Sequence, residues 1–247
     1  MMRKFVVYGF GLMICLAAGC KKDHQSSKVY LLRQQITDDR EDGAPLDTAN
    51  YTYDGQNRLT LVTDGTAPNK VTFTIAYDSQ NRVNTARKLD GSGNLVVQYD
   101  FIYKGDTIGY HFFGPPSESD TSYFTFNSKH QVTQLTSSHS GYETYEYDNK
   151  GNVALTESYG SDGSNSLADA GAYQYDNMKN PFSGTSPNNF FLMYIVLVDN
   201  PSTLINNVVD KNGFPTTYTY NQDGFPVSGI INTYYTQIYI YYNYTVK

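Results

Sequence analysis

The chain has 247 residues, of which 39% are hydrophobic and 17% charged, with a formal net charge of −6. That length suffices for one domain with a sizeable core, and the acidic balance argues against nucleic acid and against electrostatic binding to anionic lipid. There are 24 Tyr and 13 Phe but no Trp, and Thr, Val and Tyr dominate the patterned runs, as strands prefer.

Residues 1–19 read as an export signal. A short basic start with Arg3 and Lys4 precedes an apolar run from Phe5 to Ala18, too short for a membrane span. Small residues lead to Cys20 in Leu16-Ala17-Ala18-Gly19-Cys20. This resembles the lipobox of bacterial lipoproteins, although Leu16 stands four before the cysteine where the usual pattern has three. The resemblance implies cleavage before Cys20 and a lipid on its thiol. Cys15 falls inside the signal, so the mature chain keeps Cys20 alone, with no intrachain disulfide. Loss of Arg3 and Lys4 from the 18 basic residues leaves 16 against 24 acidic ones, a mature net charge of −8. Residues 20–27 then form a lipid-anchored polar tether, and residues 28–247 one antiparallel β domain.

The first strand is expected from Lys28 to Ile36, followed by a polar loop over residues 37–50. Its Asp38, Arg40, Asp42 and Gly43 faintly echo a calcium loop, but Arg40 stands in a ligand slot and no closing Glu follows; a solvated loop is expected instead.

From residue 51 the chain becomes a run of hairpins built on one phrase, clearest at Tyr145-Glu146-Tyr147-Asp148-Asn149-Lys150-Gly151-Asn152-Val153. Tyr145 and Tyr147 share one strand face. The Asp148 carboxylate can accept a backbone N–H two residues on. Gly151 supplies the positive φ that ends a type I turn with a bulge. Related turns begin at Asp54, Asp78, Asp90, Asn127, Asp210 and Asn221, and end at Asn57, Asn81, Gly93, His130, Gly213 and Gly224. Between them, alternation predicts half-buried strands: Val71, Phe73, Ile75 and Tyr77 on one face, and Val97, Tyr99, Phe101 and Tyr103 on another. Longer loops are expected at residues 114–120 and 159–170.

The pattern breaks at Asn180-Pro181-Phe182. Residues 190–198 form an uninterrupted apolar run, which periodicity alone assigns to neither helix nor strand; a short buried helix near 188–198, covering an open end of the sheet, is expected. Hairpins return from Val208. In the final run Ile238, Ile240, Tyr242 and Tyr244 face one side, and Tyr239, Tyr241 and Asn243 the other. Aromatics on both faces point to a strand buried on both sides or closing a barrel.

The repeated phrase is similar to the YD repeats of Rhs-type proteins. The lipobox, the hairpins, the Asn180-Pro181-Phe182 step, the apolar run and the terminal Gly-Phe-Pro hairpins together resemble a family of uncharacterised Bacteroidota-type lipoproteins with a porin-like β fold. That resemblance implies a curved antiparallel meander of a dozen or more strands, open or closed like a barrel, and no assigned activity. A lipid-spanning wall is not expected, because alternate strand faces hold Thr72, Thr74, Gln98, Asp100, Thr144 and Glu146.

No nucleophile elbow, zinc-binding helix or phosphate loop is present. His24, His111, His130 and His139 stand apart in tether, strand, turn and Ser-rich loop. The sequence therefore predicts no catalytic residue, no cofactor and no metal site. Three functions remain: a non-enzymatic envelope lipoprotein acting as a structural or partner-binding module, favoured here; a glycan-binding accessory lipoprotein with exposed Tyr and Phe platforms; and an enzyme of unrecognised type. Export to the outer membrane is expected. Lys21-Lys22-Asp23 partly resembles a surface-export tag, and leaves periplasmic face and cell surface both open.

Overall fold

A computed structural model describes residues 28–39, 46–65, 70–105, 107–114, 118–138, 141–160, 166–185 and 205–247. They form sixteen strands: β1 (Tyr30–Asp38), β2 (Asp47–Tyr53), β3 (Leu59–Asp64), β4 (Val71–Tyr77), β5 (Val83–Leu89), β6 (Leu95–Lys104), β7 (Thr107–Gly114), β8 (Glu118–Phe126), β9 (Val132–Ser137), β10 (Gly141–Tyr147), β11 (Val153–Tyr159), β12 (Leu167–Tyr175), β13 (Val208–Lys211), β14 (Phe214–Tyr220), β15 (Pro226–Asn232) and β16 (Gln237–Val246). Each strand pairs antiparallel with the next, and β16 returns to β1, so the meander is a closed barrel. Closure removes the free edges that an open sheet would leave. The helix expected near 188–198 lies outside the described residues, as do the signal, Cys20 and the tether.

Period-two alternation decides what fills the barrel. Phe73 and Ile75, Val97 and Phe101, and Ile240 and Tyr242 point inward and are buried. The outer wall is largely polar, with single exposed apolar or aromatic residues such as Val96, Tyr123 and Tyr241. Across β5 and β6, Arg87 Nε donates to Gln98 Oε1 at 2.8 Å and Thr85 Oγ1 to Asp100 Oδ1 at 3.0 Å. Such cross-strand pairs hold the wet face of a sheet. The closing strand keeps the expected sides, with Tyr242 inward and Tyr241 outward, but it is not buried on both: Tyr241 is 41% exposed.

Several expected loops are narrower than the sequence indicates. β1 runs on to Asp38, β8 starts at Glu118, and β12 starts at Leu167. In each case the chain is polar or rich in small residues, so it gives little strand signal, yet its backbone pairs with a neighbour already in place. Asp169 pairs with Ser158, for example, and Glu118 with Gly114.

The hairpins divide between two ends. Turns after even-numbered strands gather at one end with both described chain termini, where Val29 and Lys247 exchange backbone hydrogen bonds of 3.0 Å. Turns after odd-numbered strands gather at the other. Residues 176–185 and 205–207 fold back over the first end. Phe182 packs edge-on against Tyr51 with ring centroids 5.3 Å apart, and Asn152 Nδ2 donates to Asn206 Oδ1 at 3.2 Å.

Candidate functional site

The turn residues behave as their chemistry requires. Asp148 Oδ1 accepts the backbone N–H of Lys150 at 2.8 Å and of Asn152 at 2.9 Å. Asp54, Asp78, Asp90, Asn127 and Asn221 accept the corresponding pairs. The closing residues Asn57, Asn81, His130, Gly93, Gly151 and Gly224 all have positive φ. Partial burial works against ionisation of Asp54 and Asp148, but hydrogen bonds from Arg58 and Asn152 outweigh it and hold both carboxyls below the usual range. Asp210 departs from the pattern. It lies within β13 opposite Pro215, and the turn itself is Asn212-Gly213, both at positive φ, as a two-residue type I′ hairpin requires. Its carboxylate still accepts the Gly213 N–H at 2.8 Å.

Sequence reasoning missed what links one hairpin to the next. The last inward residue of every even strand is aromatic: Tyr53, Tyr77, Tyr103, Phe126, Tyr147, Tyr175 and Tyr220, with Tyr244 near the end of β16. Each bulged turn opens the ladder where the odd strand begins, and the hydroxyl of the following even strand reaches back to that strand's first carbonyl. Tyr77 donates to Leu59 O at 2.8 Å, Tyr103 to Val83 O at 2.8 Å, Tyr147 to Val132 O at 2.6 Å, Tyr175 to Val153 O at 2.8 Å and Tyr244 to Pro226 O at 2.9 Å. Arg58 and Arg82 add a second tie: their guanidinium carbons lie 4.4 and 4.1 Å over the Tyr77 and Tyr103 rings while their Nε atoms bond Asp54 and Asp78. Burial is the main reason the Tyr77, Tyr103 and Tyr147 hydroxyls are pushed up to about 12.

The exceptions follow the same rule. The β6–β7 turn has no bulge, since Lys104 pairs directly with Thr107; the next ring member is Phe126, which has no hydroxyl. Among the described residues no hairpin precedes β1, and a Cβ on Gly184 would lie 1.9 Å from the Tyr30 carbonyl oxygen. The Tyr53 hydroxyl is then buried without a hydrogen-bond partner. Tyr220 donates instead to Asp176, which also accepts the Asn207 N–H at 3.1 Å.

The opposite end is chemically different. Asp47, Asp64 and Lys88 take inward register positions there. Burial first, and the charge of Asp47 second, hold the Asp64 carboxyl above the usual range. Among the described residues, two concavities open at this end. One, of about 450 Å³, is bordered by His111, Phe113, Ser119, Asp120, Thr121 and Ser138. His111 Nδ1 lies 2.7 Å from Thr121 Oγ1, and Asp120 accepts from Ser137 Oγ at 2.5 Å and also from Ser138 Oγ. Among the described residues, His111 and Asp120 thus bond different hydroxyls.

The second concavity, of about 280 Å³, is lined by β13, β14, β15 and the turn between β15 and β16. Val208, Tyr218 and Ile231 form its floor, and Phe214 and Tyr234 a wall with ring centroids 4.2 Å apart at 80°. Lys211 supplies a cation, its Nζ lying 5.8 Å from the Tyr173 ring centroid. The loop at its mouth carries Tyr234 and Tyr235, 81% and 96% exposed. Among the described residues, no group of three or more His, Cys, Asp or Glu is placed to hold a metal. His24 and His139 lie outside the described residues, as do Arg40, Asp42 and Gly43, while His130 sits in its turn.

With this geometry in view, comparison identifies the kind of barrel. A porin-like protein from Bacteroides uniformis superposes with a TM-score of 0.55 at 16% identity, over 90% of this chain and 97% of that one. The fold is porin-like. A porin-like protein from Bacteroides vulgatus gives a TM-score of 0.39 at 14% identity, over 87% of this chain and 99% of that one. No family model and no curated protein matches the chain.

Proposed function

We propose that the chain is a lipid-anchored cell-envelope protein whose barrel serves as a non-enzymatic structural or partner-binding module. The observation that carries this reading is the inversion of the barrel's faces. A membrane-spanning barrel turns a continuous apolar band outward and keeps a polar lumen. Here the lumen holds buried Phe73, Phe101, Phe124, Tyr145 and Tyr173, while Arg87, Gln98 and Asp100 decorate the wall. A wall of this kind belongs in water, so attachment to a membrane falls to the N-terminus, where the lipobox places Cys20. Most described aromatics are engaged in the lumen, which favours this reading over a glycan platform spread along the sheet.

The test is metabolic. Radiolabelled fatty acid fed to expressing cells should enter the wild-type protein and not the Cys20→Ser variant, and only the wild type should sediment with membranes. A single acyl chain binds membranes marginally, whereas several hold firmly. An unlabelled wild-type protein would overturn the proposal.

A further inference from the structure

We propose that the concavity lined by β13, β14, β15 and the turn after β15 is a binding site for a small amphipathic carboxylate, a compact hydrocarbon body with one anionic head. The inference rests on the reading of the barrel as a partner-binding module, and not on its lipid anchor. The volume of about 280 Å³ lies just below the common range for small-ligand pockets, about 300–1,000 Å³. Mouths of barrels are among the places where such pockets recur.

The lining selects the ligand. Val208, Ile231, Phe214 and Tyr218 offer aliphatic and aromatic surface, which rewards an apolar body in rough proportion to the area it covers. Two polar side chains of the lining, Asn232 and Thr233, are already engaged. Asn232 Nδ2 donates to Pro215 O at 2.8 Å and its Oδ1 accepts from Gln237 at 3.0 Å. Thr233 Oγ1 accepts from Thr236 N at 3.1 Å and donates to Thr236 O at 2.9 Å. A sugar, which needs many new hydrogen bonds, would find few free partners here, since the bonds it lost to water would go unreplaced. Lys211 is different: an ammonium has three donors and no acceptor, its recorded neighbour is the face of Tyr173, and a carboxylate would give it a charge-assisted bond. Tyr234 lines the cavity while staying 81% exposed. Tyrosine there presents a rigid surface with little side-chain entropy to lose.

Octanoate, its neutral analogue octanol and methyl β-glucoside are titrated into the purified full chain, followed calorimetrically and by amide NMR shifts. Octanoate should bind saturably, with shifts centred on Thr216, Ile231, Thr233 and Tyr234. Lys211→Met keeps most of the apolar stem and removes the charge; it should weaken octanoate about tenfold and octanol less than twofold. Phe214→Ala should weaken both ligands, and the wild-type shift map stands as the readout if that variant fails to fold. Octanoate binding unaffected by Lys211→Met, shifts centred elsewhere, no saturable octanoate binding, or a preference for the glucoside would each overturn the proposal. The fatty-acid label reports on the anchor independently, so failure of one reading is distinguishable from failure of the other.

Discussion

Tyr147→Phe and Tyr53→Phe delete the same atom from equivalent places in the barrel, yet they should differ in sign or nearly so. In Tyr147 the hydroxyl satisfies the Val132 carbonyl at 2.6 Å, and Val132 is 3% exposed. Its removal leaves a buried acceptor without a partner, which costs about 1–3 kcal/mol. In Tyr53 the hydroxyl is itself buried and unpartnered. Its removal relieves a desolvated polar group and should be neutral or stabilising by up to about 1 kcal/mol. For a domain of this size 1 kcal/mol shifts the melting temperature by about 2–4 °C, so the two variants should separate by several degrees. Urea and thermal melts followed by circular dichroism give the comparison, and the unchanged volume of the ring excludes a cavity as the cause. Equal losses in both variants would refute the idea that the hydroxyls bracket successive hairpins, and would reduce the aromatic ring to packing alone.

Gly151→Val should destabilise the barrel by about 1–3 kcal/mol, because φ at Gly151 is +92° and a β-branched side chain is strained there. Lys150→Ala loses only an exposed contact to Asn177 and should stay within about 0.5 kcal/mol; equal denaturant midpoints for the pair would show that the turn does not need its glycine. Stability should also fall at both extremes of pH. The tyrosines pushed up to about 12 have folded pKa values above their unfolded value of about 10, so their contribution is complete below pH 10 and is lost as pH rises towards 12. Asp54 and Asp148 are depressed, so their contribution is present above about pH 4 and is lost as pH falls below it. Melts at pH 3, 7 and 11.5 check both arms, and a melting temperature independent of pH would contradict them.

Local features of the barrel were legible in the sequence because their chemistry is local. Asp148 bonds residues two and four positions ahead, and Gly151 needs its positive φ whatever the barrel does. Alternation of Val71, Phe73, Ile75 and Tyr77 identifies the inward face for the same reason. Closure was legible only as an alternative, since aromatics on both sides of the last strand suit either full burial or a seam. The hydroxyl brackets were not legible, because their acceptors lie 15–22 residues away and register alone brings them together. A signal did exist in the recurrence of an aromatic at the end of each even strand. The concavity lined by β13, β14 and β15 gave no such signal. Lys211, Phe214, Ile231 and Tyr234 belong to different hairpin elements and carry no spacing that marks a site. Asp210 shows the opposite hazard: it fits the written phrase, but Asn212-Gly213 is the stronger turn and shortens the hairpin around itself.

The two ends of the barrel then take different tasks from one repeated unit. At the end with both described termini, most turns are closed by a carboxylate or amide, five odd strands are tied back by a tyrosine hydroxyl, and Phe182 and Asn206 fold over them. Loss of a bridging hydroxyl or a turn carboxylate there disturbs the adjoining hairpin, so that end is suited to holding the barrel shut. At the far end Asp90 still closes the β5–β6 turn, but among the described residues no tyrosine hydroxyl ties an odd-strand turn to the next. Inward positions hold Asp47, Asp64 and Lys88 in place of aromatics, and Tyr234 and Tyr235 project into solvent. Loops released from structural duty on a rigid scaffold are where binding residues accumulate. A barrel locked at one end can therefore vary its other mouth without losing its fold.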